Sequence, residues 1–524
     1  MAALKPDAPA VSVHRWWTLA TVSVATFMLL LDITVVNVAL PAIQVDMTAT
    51  FGDMQWVIDA YALGLAAFLL TAGSLGDRIG RRRLFAAGLV LFTLASAACG
   101  FAGEPLVLNI SRAVQGIGGA VLYAIGPALI AAEFHGKERG AAFGIFGAVT
   151  GVAVAAGPLI GGALTELDWR WVFFINVPLG VLALIVVWTR VAESAGRREH
   201  PIDYAGVVSF SVALVALVFG IIRAPIVGWT SATTLVSLAL SVVMLAAFVI
   251  VELRTGYPML DLGLLRNRTF DVLSIATFAI NFAVLPAILF GVLWMQGVLG
   301  HSAIETGVRF LPLTAMLFVA AVAGGVLSAR LPMNVLIGTA LILSGVGFLL
   351  LLGIDANDSW TGALVPFMIT GLGMGLFNPP RANAAVALVS AEDSGMGSGA
   401  NETFQQVGAA LGIAALGAVA HASIKSDLSD TLGLPAEQAE AASDAVAAGA
   451  VRSVVEGVPA GQAAAVREAA VDAFLTGFHS VVTIGSVACL IGGVAALLLI
   501  RRRDFVLDPA APDVEVQPEH EAAY

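Results

Sequence analysis

Hydrophobic positions in this chain come in long blocks separated by short polar breaks. At 1.5 Å per residue, a helix needs about 20 apolar residues to cross the hydrocarbon of a bilayer. Blocks of that size predict helical spans at about 16–41, 55–76, 84–102, 105–133, 140–165, 171–190, 203–222, 232–253, 270–297, 305–329, 333–354, 361–389, 395–421 and 474–500. The pattern therefore predicts an all-α membrane protein of about fourteen helices. Of the 26 Lys and Arg, six (Arg170, Arg223, Arg309, Lys425, Arg452 and Arg467) fall on the outer side if the N-terminus is cytoplasmic, and Arg112 and Arg381 fall within spans. The rest lie on the inner side, which places both termini inside and supports an even number of spans.

Composition agrees with the pattern: 59% of residues are hydrophobic and 12% charged, where a soluble domain has about one quarter charged. A net charge of -11 without a basic domain argues against a nucleic-acid partner. The two cysteines, Cys99 and Cys489, lie in separate apolar blocks and support neither a disulfide framework nor a thiolate metal site. The first fourteen residues lack a small-residue cleavage site, so the run that follows reads as a retained first span. The single Gly-Lys pair, Gly136-Lys137, is followed by Glu138, so there is no Walker A; HExxH and GxSxG are also absent. An enzyme, a metal and a cofactor are therefore not expected.

Glycines repeat at a common offset of 255. Gly116 and Gly118 recur as Gly371 and Gly373, and Gly140, Gly144 and Gly157 as Gly395, Gly399 and Gly412. The simplest account is a duplicated six-helix unit, residues 1–200 and 262–503, with two inserted helices in 201–261. An Ala-rich acidic outer loop, 422–473, is expected to form helix over the outer mouth, and 504–524 a disordered cytoplasmic tail.

Asp32 stands in LDITVVNVALP (31–41), where a carboxylate costs roughly 2.5 to 3.5 kcal/mol. Counting from the outer ends of their spans, Asp32 lies about 14 Å deep and Arg112 about 11 Å, so the two side chains can meet. Pairing favours the charged acid and desolvation the neutral one; the pair is either a permanent structural link or a group that takes up and releases a proton. Asp59 is an interfacial acid or an attraction point for a cationic substrate. Arg381 and Glu402, in adjacent spans about 14 and 11 Å from the inner surface, are a structural pair or a cation-binding acid facing the inner cavity.

The inner loop GSLGDRIGRRRL (73–84) holds Gly73, Asp77, Arg78, Gly80 and Arg81. Asp77 is placed to cap the next helix or to meet the positive end of a helix in the other half, and Arg81 to link with Glu133. In the fifth span Gly147, Gly151, Gly157, Gly161 and Gly162 allow close helix approach, and Pro158 is expected to bend the helix.

Together these stretches resemble the fourteen-spanner drug:proton antiporter family of the major facilitator superfamily. LDITVVNVALP is similar to its first-span motif, GSLGDRIGRRRL to the superfamily's loop motif and SRAVQGIGGA (111–120) to its fourth-span motif. GVAVAAGPLIGG (151–162) resembles the antiporter motif, and WRWVFFINVPLG (169–180) the start of the sixth span. WVIDAYAL around Asp59 and ANETFQQVG around Glu402 are similar to features of its quaternary-ammonium and dye exporters. A monomer in the cytoplasmic membrane, in contact with its lipids, is expected, and the resemblance implies export of small lipophilic drugs or dyes, often cations, against inward proton flow. It implies Asp32 and Arg112 in coupling, Asp77 and Arg81 in an inner gate, and a weaker second gate loop, because Ala329 stands where Asp77 stands in the first half. A dedicated exporter of one secondary metabolite or lipid, and a non-transporting scaffold or sensor, are the competing readings.

Overall fold

A computed structural model describes residues 13–49, 51–194, 201–328, 330–356, 358–433, 436–455, 458 and 462–506. Every regular element among them is a helix: α1 (Val13–Asp46), α2 (Phe51–Ile79), α3 (Arg81–Phe101), α4 (Pro105–Glu133), α5 (Gly136–Leu167), α6 (Trp171–Phe174), α7 (Asn176–Arg190), α8 (Tyr204–Val227), α9 (Ala232–Arg254), α10 (Arg268–Leu293), α11 (Ala303–Leu327), α12 (Met333–Leu351), α13 (Leu364–Ala387), α14 (Ser394–Leu432), α15 (Ala436–Ala447), α16 (Val451–Val455) and α17 (Ala463–Leu499). Thirteen of these, the short α6 counted with α7, are long and apolar enough to cross a membrane. The 32-residue α5 carries no Asp, Glu, Lys or Arg from 140 to 165 and brings the number to fourteen.

Side-chain chemistry marks where the helices start. Asp203, Ser231 and Asn267 cap α8, α9 and α10 by accepting from backbone N–H groups, and Ser302 with Glu305 forms a capping box on α11. Pro105 occupies the first position of α4. Gly80 breaks α2 from α3 at φ 117, and an added Cβ would also meet the Glu193 carboxylate at 2.9 Å. A side chain there is strained twice over.

Packing follows the glycines. Gly116 of α4 lies against the α2 backbone at Tyr61, and Gly371 of α13 against the α11 backbone at Leu313. Gly118 meets Phe92 of α3 as Gly373 meets Ser344 of α12. Helices α1–α7 thus form one packed set and α10–α14 with α17 another, joined by α5 against α11 and α13 and by α2 against α14. The α8–α9 pair lies outside both sets, with α8 touching α2 and α14.

The two sets seal together at the end that carries Arg78 and Arg81–Arg83, referred to below as the basic end. A Cβ on Gly73 would stand 2.1 Å from the Gly395 carbonyl oxygen, and one on Gly325 would stand 2.4 Å from Gly144 Cα. Only hydrogen fits in such seams, so backbone meets backbone.

At the opposite end the structure fills much of the predicted 422–473 loop with helix. α14 and α17 run 39 and 37 residues, each well over 50 Å at 1.5 Å per residue, and so project beyond any hydrocarbon layer. Alanine, the best helix former, is frequent here, and α15 packs against α14. The tail from 507 onward lies outside the described residues.

Candidate functional site

Asp32 and Arg112 meet, and the structure adds two amides to them. Arg112 Nη1 donates to Asp32 Oδ2 and, at 2.8 Å, to Gln115 Oε1. Gln115 Nε2 and Asn176 Nδ2 both donate to Asp32 Oδ1, at 2.9 and 3.1 Å. Asn176 also reaches Ser96 Oγ at 3.1 Å, and Ser96 donates to the Phe173 carbonyl at 2.9 Å. Arg112 Nε is taken by the Val57 carbonyl at 3.0 Å, and the guanidinium carbon lies 4.2 Å from the Tyr61 ring centre. Asp32 is 1% exposed and Arg112 2%. Both carboxylate oxygens are satisfied by donors from three directions, which offsets the cost of holding a charge out of water.

Helix geometry explains the convergence. Arg112 and Gln115 are three residues apart on α4 and so share a face, while α7 brings Asn176 from its first turn. α5 closes on the same place: a Cβ on Gly157 would stand 1.9 Å from Thr34 Oγ1 and one on Gly161 3.1 Å from Val35 Cα, just past Asp32 on α1. Gly147 and Gly151 face the other set, at Pro379 and Leu317. One helix therefore touches the Asp32 region and the opposing set of helices at once. Gly162 meets nothing within 4 Å, and α5 continues without interruption through Pro158, of which the backbone alone is described.

A second buried cluster lies between α13 and α14. Arg381 Nη2 donates to Glu402 Oε1 at 2.9 Å and Nη1 to Asn401 Oδ1 at 2.5 Å, and Asn401 Nδ2 donates to Thr277 Oγ1 of α10 at 3.1 Å. Tyr123 of α4 stands beside Glu402 and accepts from Gln405 Nε2 at 2.9 Å. Here the hydrogen-bonding capacity is incompletely used. Glu402 Oε2, Arg381 Nε and Gln405 Oε1 have no partner, and neither polar atom of the fully buried Asn383 has one.

The basic-end loop works across the two sets. Asp77 Oδ1 accepts from Gly395 N at 3.1 Å and Oδ2 from Met396 N at 2.8 Å, so the acid caps α14 and not α3. Arg81 donates through Nε and Nη2 to Asp77 Oδ1 at 2.9 and 2.7 Å, and through Nη2 to the Ala391 and Glu392 carbonyls at 2.7 and 3.0 Å. The expected Arg81–Glu133 link does not form, because Asp77, four residues before Arg81 across the Gly80 break, takes the guanidinium first. Arg78 donates to the carbonyls of Pro201, Tyr257 and Pro258, binding the two connections that flank the α8–α9 pair.

Asp59 stands half-buried on α2 with Arg223 of α8 as its charged neighbour, outside the Asp32 network. Ala329 lies outside the described residues, and Arg330 is exposed. Sequence reasoning missed Gln115, Asn176 and Ser96 around Asp32, and Asn383, Asn401 and Gln405 around Glu402. The three-residue spacing from Arg112 to Gln115 was a usable signal; nothing local to Asn176 or Asn383 marked them. It also passed over Arg139, 4% exposed, whose Nε and Nη2 have no partner.

Comparison with known proteins fits this architecture. The sequence model of the Major Facilitator Superfamily matches residues 22–413. The chain is 36% identical to the multidrug resistance protein Stp of Mycobacterium tuberculosis over 405 residues, which cover 77% of this chain and 75% of that one. It is 32% identical to the tetracenomycin C resistance and export protein of Streptomyces glaucescens over 490 residues, 92% of this chain and 91% of the relative. The crystal structure of the human organic anion transporter MFSD10 superposes with a TM-score of 0.63 at 13% identity, covering 94% of this chain and all of that one, a likeness of fold.

Proposed function

The chain belongs to the Major Facilitator Superfamily, a class of transporters and not enzymes, and on that premise we propose that it exports lipophilic, cationic drugs or dyes across the cytoplasmic membrane in exchange for protons. The observation that carries the proposal is Asp32: an acid out of water, held by donors from two other helices of its set and flanked by the glycine seam of α5. The names of the relatives Stp and the tetracenomycin C exporter support the cargo class.

In this reading helices α1–α7 and α10–α14 with α17 are two rocking halves, and both termini face the cytoplasm. A proton arriving on Asp32 removes the countercharge of Arg112 and frees Gln115 and Asn176 to repack, which loosens α1 against α4 and α7. The change passes to the other half through α5, whose glycines touch α1 on one side and α11 and α13 on the other. At the basic end it releases the Asp77 cap on α14 and opens the seam. Release of the proton to the cytoplasm restores the network. Glu402, with an oxygen lacking a partner, is the acid placed to meet a cation in the cleft, and the Tyr123 ring beside it can add a cation–π contact.

The test is dye transport in proteoliposomes under an imposed pH difference, with Asp32→Asn alongside. Dye movement should follow the pH difference in the natural protein and lose that dependence in Asp32→Asn. Transport that ignores the gradient, or an Asp32→Asn variant that still responds to it, overturns the proposal. A dedicated exporter of one metabolite keeps the same machinery and is favoured by the single-compound name of the tetracenomycin C relative. A panel in which one compound alone is moved separates it.

A further inference from the structure

The α8–α9 pair joins neither six-helix set, yet its ends at the basic end carry two acids with unmet oxygens. Asp203 caps α8 with Oδ1, accepting from Gly206 N at 2.8 Å, and its Oδ2 has no partner. Glu252, in the last turn of α9, accepts from Leu260 N with Oε2 at 3.4 Å and also faces the Met259 N–H, while its Oε1 has no partner within hydrogen-bond geometry. The residues are 7% and 5% exposed.

The two bare oxygens converge on one point. A Cβ placed on Gly206 would stand 2.5 Å from Asp203 Oδ2 and 2.8 Å from Glu252 Oε1. Glycine at 206 leaves that point free. Arg78 is the cation that faces both acids, but its hydrogen bonds go to the carbonyls of Pro201, Tyr257 and Pro258. The other charged groups around Arg78 are already engaged: Asp77 by Arg81 and the start of α14, and Asp393 by Ser390 Oγ at 2.9 Å.

We propose that Asp203 and Glu252 form a proton-binding site separate from Asp32, a carboxyl and a carboxylate that share one proton at the base of the α8–α9 pair. Two ionised carboxylates facing each other out of water repel strongly, and neither can be ionised without raising the cost of the other. One proton resolves both defects, because the protonated acid donates to the free oxygen of its neighbour. The pair then carries a single negative charge, matched by the single positive charge of Arg78. Loss of the proton leaves two negative charges beside Arg78 and draws the guanidinium away from the carbonyls that bind the α7–α8 and α9–α10 connections. Arg78 follows Asp77, so the site lies one residue from the cap that closes the basic end.

The site is tested by thermal unfolding of the full-length protein in detergent between about pH 6 and 9, for the natural protein, Glu252→Gln, Asp203→Asn and the double variant. In the unfolded chain both acids are ionised throughout this range, so the folded protein holds one proton that unfolding releases; stability falls as pH rises for as long as the folded pair keeps that proton and levels off once the pair has given it up. In Glu252→Gln the amide N–H supplies the missing donor at every pH. The pH slope should fall by about one proton equivalent, and the variant should melt above the natural protein at the alkaline end. Asp203→Asn keeps the helix cap and should flatten the slope in the same way, and the double variant should show no further flattening. Slopes in both single variants equal to that of the natural protein overturn the site. So does stabilisation of the natural protein at pH 9 by sodium but not by choline, which would assign the point to a metal cation. The readout is stability alone, so failure of proton-driven export leaves it untouched.

Discussion

Of the buried Arg–carboxylate pairs among the described residues, two lie deep in the helices, one in each set, and they are built to opposite specifications. Around Asp32 and Arg112 each carboxylate oxygen has its donor, and Gln115 closes the ring by accepting from Arg112 and donating to Asp32. Around Arg381 and Glu402 the bonds stop short: one carboxylate oxygen, one guanidinium nitrogen and one amide oxygen lack partners. A buried polar group left unmet costs about 1 to 3 kcal/mol, so a cluster with three of them is held at a disadvantage that a ligand or water can relieve. Around Asp32 the atoms left without partners, Asn176 Oδ1 and the Tyr61 hydroxyl, lie outside the ion pair, whose carboxylate is filled; at Glu402 the bare atom is on the carboxylate itself, which has room to receive something.

The comparison breaks most easily at Asp32. In Asp32→Asn the side chain offers one oxygen and one NH2 where the natural acid offers two acceptors. Whichever way the amide turns, its NH2 faces a donor, either Arg112 or the Gln115 and Asn176 amides. The Arg112 charge is left unpaired in either case. The expected loss of stability is about 3 to 5 kcal/mol, the range for breaking a buried pair, read as a fall in the detergent melting temperature. A loss below about 1 kcal/mol would mean that the network is looser than its geometry.

How much of this contrast was readable beforehand depended on whether a signal was local. Depth counting brought Asp32 to Arg112 and Arg381 to Glu402, because a rise of 1.5 Å per residue turns sequence position into height. Glycine spacing identified the helices that approach closely, since a missing Cβ leaves a mark in the sequence. The full set of donors on the Asp32 carboxylate was not readable. It depends on Asn176, delivered by α7 from 144 positions away, and on which way each amide points. The four-residue spacing from Asp77 to Arg81 was present in the loop, yet the direction of the cap was set by where α14 begins in space. For the same reason Arg81 was matched to the wrong acid.

The seam at the basic end offers a way to sharpen the contrast. In Gly73→Ala the added methyl enters the space of the Gly395 carbonyl and forces the two sets apart there, at an expected cost of about 1 to 3 kcal/mol. By depth, Arg381 and Glu402 lie nearer that end than Asp32 does. Modification of Glu402 by a water-soluble carbodiimide should therefore rise several-fold in Gly73→Ala, while Asp32 stays unreactive. Equal gains at both acids would show that the clusters share one aqueous route.

Glu402→Gln should touch stability less, by under about 1 kcal/mol. Its carbonyl can keep the bond to Arg381 while the NH2 takes the place of the other oxygen and can donate to the Tyr123 hydroxyl beside it. The cost should appear in binding instead. Losing one charged contact to a cationic dye is worth about 1.4 kcal/mol, a tenfold weaker Kd, measurable by fluorescence titration of the purified protein. The same substitution should leave the affinity for an uncharged analogue of the dye unchanged.

The smallest effect separates a cluster that awaits a ligand from one that is merely imperfect. Asn383 lies on α13, two residues from Arg381, fully buried and with neither its oxygen nor its nitrogen bonded. If those atoms serve nothing, Asn383→Leu removes two unmet polar groups, adds apolar contact and stabilises the protein by up to about 1 kcal/mol, with dye affinity unchanged. If the space beside Asn383 holds water that belongs to the cleft, the leucine expels it. Stability then stays level or falls slightly, and dye affinity shifts together with that of Glu402→Gln. Combining the two substitutions decides between these outcomes. Independent effects add, whereas two residues serving one hydrated space give a double variant that departs from additivity by more than about 0.5 kcal/mol.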